Sequence, residues 1–106
     1  MQTIIIVLDS NKMENPDLDI RYLLPDRIEE FTNGLARDNG YDYLDDARLG
    51  IWLETEDAEV CASKIIELIK AEKIIDNDLS RSAEIFVSEE DCAEIEGCMK
   101  VYPTFN

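Results

Sequence analysis

The run Ile4-Ile5-Ile6-Val7-Leu8 constrains the fold of this chain more than any other segment. All of its positions are apolar, so a strand formed here has to be covered on both faces, which places it in the middle of a sheet. The run is too short for a membrane span or for the core of a signal peptide. We therefore expect a layered domain built around this strand.

A first helix is predicted to begin at Pro25, because proline suits the first turn of a helix. The apolar side chains of Ile28, Phe31 and Leu35 then lie on one face of that helix. Asn39-Gly40 supplies the stop signal.

Alternating apolar and polar side chains predict a strand over residues 49–53, with Trp52 on the face turned away from the apolar one. A second helix follows, capped at Thr55 and ending near Lys73. The apolar stripe that identifies the buried face of this helix consists of Cys61, Ile65, Leu68 and Ile69.

Two more strands are predicted in the last third of the chain. Residues 83–88 alternate in the same way and turn Phe86 away from the core, and residues 99–102 form a short final strand. Between these strands we expect one helical turn over residues 89–96, capped by Ser88.

This order of elements, β-α-(β)-β-α-β-(β), predicts a single domain over residues 1–106. The predicted fold class is α+β, with two helices packed on one face of a mainly antiparallel sheet of four or five strands. Such an arrangement is ferredoxin-like or a related sandwich.

Charge limits the functions open to this chain. It carries 25 acidic and 10 basic side chains and no histidine, a formal net charge of −15 on 106 residues. This field repels nucleic acid and anionic membranes and attracts cationic partners. The lack of histidine removes the usual general base and the commonest metal ligand. We therefore expect a binding protein, with no enzyme activity, no cofactor and no metal site.

Cysteine usage favours a reduced, cytoplasmic protein. Cys61, Cys92 and Cys98 are odd in number and lack CxxC spacing. Cys61 lies on the apolar stripe of the second helix, which is typical of a core residue. A Cys92–Cys98 pair stays open at this point. For the assembly state we expect a monomer or a weak dimer.

Acidic residues are concentrated beside the strands that carry Trp52 and Phe86. Residues 38–59 include eight acidic side chains and one basic one, and residues 84–96 include six acidic side chains and no basic one. If the two strands are neighbours, these stretches merge into one acidic surface around an aromatic centre. Aromatic anchors inside a charged rim are typical of a protein interface.

A partner-binding site is predicted on this surface. In the alternative interpretation the acidic surface is only solvated, and the tail residues Tyr102 and Phe105 cover the two aromatic side chains. Residues 41–46 are predicted to form either a loop or an edge strand. Their tyrosines either contact a partner or pack inward. The predicted site residues are Trp52, Phe86, Tyr41, Tyr43, Asp42, Asp45, Asp46, Glu54, Glu84, Glu89, Glu90 and Asp91.

In size, charge and element order the chain resembles the small acidic immunity proteins of bacterial contact-dependent inhibition and related polymorphic toxin systems. This resemblance implies a cytoplasmic protein that neutralises a cognate toxin domain, often a basic nuclease, by covering its active site or a nearby surface. The expected partner is thus a cationic protein, a toxin domain, and neither nucleic acid nor a membrane. The alternative function is a ferredoxin-like regulatory domain that binds a small ligand in a concave, partly apolar pocket.

Overall fold

The computed structural model describes residues 1–103, in which seven regular elements follow one another in the order βαββαββ. Short 3-10 turns at Ser10–Lys12 and Ile95–Gly97 accompany them. Neither helix in the described residues combines the length and the apolar character needed to cross a membrane. The elements are β1 (Gln2–Asp9), α1 (Ile20–Phe31), β2 (Ala36–Tyr43), β3 (Arg48–Thr55), α2 (Ala58–Ala71), β4 (Ala83–Ser88) and β5 (Met99–Tyr102).

The strands form one five-stranded sheet in the order β2-β3-β1-β4-β5, and every neighbouring pair is antiparallel. Both helices contribute to one hydrophobic core on the same face of this sheet. The predicted α+β class is confirmed. The first four strands and the two helices follow the ferredoxin-like βαββαβ order, and β5 extends the sheet beside β4.

Strand β1 lies at the centre of the sheet and is buried on both faces, as its apolar run predicts. Ile4, Ile6 and Leu8 belong to the core beneath the helices. Ile5 and Val7 point to the opposite face and are also buried. Burying an aliphatic side chain of this size contributes about 1.5–3 kcal/mol, so this strand supplies a large share of the stability.

Helix α2 confirms the predicted stripe, because Cys61, Ile65, Leu68 and Ile69 are all buried. Burial raises the pKa of the Cys61 thiol to about 11. The predicted cap at Thr55 is wrong, since Thr55 is the last residue of β3. The helix is instead capped by Asp57, whose carboxylate accepts a hydrogen bond from the Val60 N–H at 3.1 Å.

Helix α1 begins at Ile20, one and a half turns before Pro25, so the predicted start was wrong. An interior proline costs a helix about 3 kcal/mol. Ile20 and Leu24, four residues apart on one face, are both buried in the core. Burial of these two side chains contributes about 1.5–3 kcal/mol each, which offsets the cost of the proline and holds the first turns helical.

The end of α1 also differs from the prediction. The helix stops at Phe31, and Asn33 and Gly34 follow with φ angles of +53° and +80°. This pair provides the left-handed backbone that ends a helix. Leu35 therefore lies outside the helix, and the predicted stop signal Asn39-Gly40 is part of β2.

Residues 89–94 do not form the predicted helical turn, which is reduced to the 3-10 turn at Ile95–Gly97. They fold back over the end of β1 because Thr3 binds them twice. The Thr3 hydroxyl donates to the Glu90 carbonyl oxygen at 2.7 Å and accepts from the Ala93 N–H at 3.1 Å. We call residues 89–94 the cover segment.

Candidate partner-binding surface

The predicted aromatic centre lies on the sheet face opposite the helices. Trp52 on β3 and Phe86 on β4 are both paired with Ile5 of β1, so a buried isoleucine separates the two aromatic side chains. Strands β3 and β4 flank β1 and are not neighbours, contrary to the premise of the merged surface. Both aromatic side chains are half-buried.

Trp52 is engaged within the protein. Its indole Nε1–H donates to the Ala93 carbonyl oxygen at 3.0 Å. The six-membered ring lies against Gly50, where a Cβ atom would approach Trp52 Cζ3 to 2.7 Å. Tyr102 does not cover it, because its hydroxyl donates to the Ser80 carbonyl oxygen and its ring packs against the core beneath the helices. Phe105 lies outside the described residues.

Two of the predicted carboxylates on this sheet face are paired with basic side chains of the same chain. Lys100 Nζ lies 2.6 Å from Glu84 Oε2, and Arg37 Nε lies 4.0 Å from Glu54 Oε1. Such exposed pairs contribute only about 0–1 kcal/mol to stability. They do partly compensate the negative charge around Trp52 and Phe86, which makes this face a weaker attractor of cations than the sequence suggested.

Asp45 supports the turn between β2 and β3. Its carboxylate accepts from the N–H groups of Ala47 and Arg48 and pairs with Arg48 Nε at 2.7 Å. The hydrogen bond from the Arg48 side chain, followed by the two backbone bonds, lowers the pKa of Asp45. The adjacent Asp46 is exposed.

A β-bulge in β2 decides where Tyr41 and Tyr43 point. Asp38 pairs with Leu53 and Tyr41 pairs with Ile51, so β2 carries one extra residue between these positions. Gly40 permits the bulge because its φ angle is +97°. The extra residue moves the two tyrosines from the Trp52 face to the helix face. The structure therefore divides the predicted site between both faces of the sheet.

On the helix face these two tyrosines contact Arg21 and Tyr22 of α1. We call the four residues Arg21, Tyr22, Tyr41 and Tyr43 the tyrosine cluster. The Tyr22 and Tyr41 rings meet edge to face with centroids 5.9 Å apart, and the Tyr41 and Tyr43 rings do so at 6.1 Å. The three tyrosines are 47%, 40% and 50% exposed in chain order. Large aromatic area is thus presented to solvent at an edge of the sheet.

Arg21 holds the cluster together. Its Cζ atom lies 4.7 Å from the Tyr22 ring centroid and 5.4 Å from that of Tyr41, within the range of cation–π attraction. Its Nη1 donates to the Tyr43 hydroxyl at 3.3 Å. Among the described residues the buried Nε has no hydrogen-bond partner. The guanidinium is therefore placed chiefly by ring contacts.

The hydroxyl groups of the cluster influence one another's titration. Polar contact with Tyr41, followed by contact with Arg21, lowers the pKa of Tyr22. The same contact with Tyr22 raises the pKa of Tyr41. Contact with the Tyr22 and Tyr43 side chains raises the pKa of Arg21, which stays charged.

A shallow pocket of about 70 Å³ adjoins Tyr43. Leu18 and Met13 form part of its apolar wall, and the carboxylates of Asp17 and Asp46 lie at its border. Arg48 also lines the pocket, where its guanidinium is paired with Asp45. The carboxylates of Asp17 and Asp46 remain to receive the charged head of a lysine or arginine side chain, and the apolar wall suits the stem of that side chain.

The remaining predicted residues lie elsewhere. Asp42 is opposite Gly50 on the Trp52 face, whereas Glu89, Glu90 and Asp91 are exposed in the cover segment. Within residues 1–103, no group of three or more cysteine, aspartate or glutamate side chains is placed to hold a metal ion.

Sequence reasoning missed Arg21 and Tyr22 because it started α1 too late. The spacing of Ile20, Leu24 and Ile28 at i, i+4 and i+8 was the available signal, since it extends the apolar face of α1 before Pro25. No family model matches the chain, and comparison with curated proteins and with solved structures gives no match.

Proposed function

We propose that this protein is a toxin-neutralising immunity protein that binds and occludes a cognate basic toxin domain. The tyrosine cluster is the observation that carries this proposal. Tyrosine and arginine are enriched at interface hot spots, and here three tyrosines are held in fixed mutual geometry while about half exposed. Because these rings are already ordered, this protein loses little side-chain entropy when a partner binds here.

The net charge of −15 supports a cationic partner. Attraction between opposite fields raises association rates by about 10–1,000-fold, and an inhibitor benefits because it has to reach a toxin before the toxin acts. The proposed surface is therefore acidic and aromatic-centred, as the sequence suggested, but its centre is the tyrosine cluster and Trp52 belongs to the scaffold.

The pocket beside Tyr43 suggests how the surface selects its partner. A basic side chain of the toxin would lay its stem against Leu18 and Met13 and place its charge near Asp17 and Asp46. The carboxylates give charge selectivity and register, while the aromatic area gives affinity.

The experiment that tests this proposal is a pull-down from the native lysate with purified protein as bait, eluted in rising salt. Three baits are compared: the wild type, Tyr41→Ala/Tyr43→Ala, and Val60→Ala as the matched control. Val60 is as exposed as the tyrosines but lies on α2, away from the cluster. Any protein that the wild type retains is then purified and assayed for toxin activity with and without equimolar inhibitor.

A basic protein retained by the wild type and by Val60→Ala, lost by the double variant and inhibited at equimolar ratio supports the proposal. Recovery of only generally basic proteins that elute at low salt from all three baits contradicts it. The same holds for a specific partner that has no toxic activity.

The second candidate is a regulatory domain that binds a small ligand. A groove of about 790 Å³ between α2 and the β4–β5 edge is the observation that favours it, because its size is within the range of ligand sites. Its acidic border would select a cationic compound. A thermal-shift series with spermidine tests this candidate, and a rise in melting temperature abolished by Glu59→Gln/Glu89→Gln would favour it.

A further inference from the structure

The helix layer of this protein is narrower than its sheet. Neighbouring strands lie about 4.8 Å apart, whereas packed helices lie about 8–10 Å apart, so two helices cover about four strands. Here α1 packs on β2 and β3, and α2 packs on β1 and β4. The fifth strand extends the sheet beyond α2 and leaves part of its helix-side face uncovered.

The uncovered strip is the groove between the N-terminal half of α2 and β5. Its apolar floor includes Ala62 and Ile66 from α2 and Val87 and Val101 from the sheet. Met99, at the start of β5, borders it and is 71% exposed, the most exposed large apolar side chain among the described residues. Together with the half-buried side chains beside it, Met99 forms an apolar strip that is open to another packing element.

The far end of the strip is closed within the chain. There Lys70, in the last turn of α2, lies over the Tyr102 ring with Nζ 5.8 Å from the centroid. The groove is therefore open beside the first turns of α2 and ends where α2 meets the end of β5. A rod-shaped occupant fits this shape when it lies beside α2.

The charged residues on the border of the groove are all acidic. Asp57 and Glu59 lie on the α2 side and Glu89 and Glu90 on the sheet side, and the described lining contains no basic side chain. None of these four carboxylates forms an ion pair with another described residue. They contrast with Glu54 and Glu84 on the Trp52 face, which are paired.

We infer that the groove binds an amphipathic helix with a basic polar face, supplied by a partner protein, which packs beside α2 as a third helix of the layer. The apolar face of that helix covers Ile66, Val101 and Met99, and its lysine or arginine side chains reach the carboxylates on both borders. A second copy of this chain is a poor occupant, since its net charge of −15 repels an acidic groove.

This site lies at the β5 edge of the sheet, opposite the β2 edge that carries the tyrosine cluster. It therefore goes beyond the proposed function, and variants at one edge serve as controls for the other. The inference stands or falls independently of whether the tyrosine cluster binds a toxin.

The test uses two synthetic peptides of 14 residues, the length of α2. One places leucines on one helical face and lysines on the other, and the second is a scrambled peptide of identical composition. Binding is measured by calorimetry, and the site is mapped by methyl NMR of Ile66, Val87 and Val101. The groove variants are Glu59→Gln/Glu89→Gln and Met99→Ser, and the matched control, Glu56→Gln/Glu67→Gln, removes two exposed carboxylates outside the groove.

We expect the amphipathic peptide to shift the groove methyl signals and the scrambled peptide to bind at least about tenfold more weakly. The groove carboxylate variant should lose about fivefold in affinity and Met99→Ser about tenfold, while the control stays within about twofold. Tyr41→Ala/Tyr43→Ala should bind the peptide like the wild type.

Three results would overturn the inference. The first is equal affinity for both peptides, and the second is an equal loss in the groove variant and its matched control. Either means that charge alone attracts the peptide. The third is displacement of the peptide by equimolar spermidine, which assigns the groove to a small cationic ligand.

Discussion

The Trp52 indole Nε1–H donates to the Ala93 carbonyl oxygen at 3.0 Å, across 41 positions of sequence. Ala93 is buried and its own N–H donates to the Thr3 hydroxyl. The Ala93 carbonyl oxygen thus attaches the cover segment to β3, and the Ala93 N–H attaches it to β1. This arrangement makes Trp52 part of the scaffold that seals the second face of the sheet over Ile5.

The first prediction concerns the role of Trp52. Trp52→Phe keeps the ring but removes the donor to Ala93, and we expect the free energy of unfolding to fall by about 1 kcal/mol. Trp52→Ala removes the packing as well and should cost about 2–3 kcal/mol. Urea denaturation measures both values. A fully stable Trp52→Ala that loses partner binding would instead make Trp52 an interface anchor.

The bulge at Gly40 gives the second prediction. Gly40 has a φ angle of +97°, so Gly40→Ala should lower the free energy of unfolding by about 1–2 kcal/mol through backbone strain alone. No atom within 4 Å would meet the added methyl group. Gly97 is equally open but lacks a positive φ angle, so Gly97→Ala is the matched control and should be close to neutral.

If Gly40→Ala removes the bulge instead, Tyr41 and Tyr43 turn to the Trp52 face. We expect nuclear Overhauser contacts between the Tyr22 and Tyr41 rings in the wild type, because the ring centroids lie 5.9 Å apart, and these contacts would then disappear. Equal stability of the two alanine variants would show that the bulge does not depend on the left-handed backbone of Gly40.

The third prediction concerns the tyrosine cluster. The pKa of Tyr22 is lowered first by contact with Tyr41 and second by Arg21, so both Tyr41→Phe and Arg21→Gln should raise it toward its ordinary value of 10.0. Tyr41→Phe should have the larger effect. NMR titration of the tyrosine ring signals measures the pKa of Tyr22 in each variant and so shows which substitution raises it more. An unchanged Tyr22 titration in both variants would show that the cluster is not formed in solution.

The fold was largely predictable because β1 and the stripe of α2 carry dense, periodic apolar patterns. The candidate site was predicted only in part: the sequence pointed to Tyr41, Tyr43 and Asp46, but the rest was missed for two local reasons. Pro25 favours a helix start when judged by local preference, but burial of Ile20 and Leu24 outweighs its cost, and the missed turn contains Arg21 and Tyr22. Asn39-Gly40 resembles a helix stop, but in β2 it forms a bulge that reverses the faces of Tyr41 and Tyr43.

The cover segment and the groove show a different limit of sequence reasoning. Residues 89–94 contain no apolar periodicity, and their position depends on Thr3, which lies 87 residues before Glu90. The groove depends on how many strands two helices can cover, a property of the assembled layers. Neither feature has a local pattern from which it can be read.

The fourth prediction concerns acid stability. Asp45 binds its proton more weakly in the folded protein than in the unfolded chain, because Arg48 and two backbone N–H groups stabilise its charge. The stabilisation of the fold by ionised Asp45 is therefore fully present above its ordinary pKa of 3.8. It is lost as the pH falls through the lower pKa of the folded state. We expect the difference in unfolding free energy between wild type and Asp45→Asn to be constant near neutral pH and to shrink below about pH 4.

Arg48→Gln provides the second arm of that experiment, since the Arg48 side chain is the largest cause of the lowered pKa. In an Arg48→Gln background the effect of Asp45→Asn on acid stability should be smaller. A difference between wild type and Asp45→Asn that grows as the pH falls would have the wrong sign for this explanation.

The fifth prediction follows from the balance between self-repulsion and ion pairing. The chain carries a net charge of −15 within dimensions of 32 × 31 × 28 Å, and its salt bridges are exposed. Exposed pairs contribute little, so repulsion among carboxylates should dominate the salt dependence. We therefore expect the melting temperature to rise with sodium chloride.

The salt range of that rise is fixed by the screening length. At about 0.01 M the Debye length is about 30 Å and spans the whole molecule, whereas at about 0.1 M it is about 10 Å. Most of the gain in melting temperature should therefore occur below about 0.1 M, as measured by thermal unfolding in a salt series. A melting temperature that falls over this range would mean that the ion pairs of Arg27, Arg48 and Lys100 outweigh the repulsion.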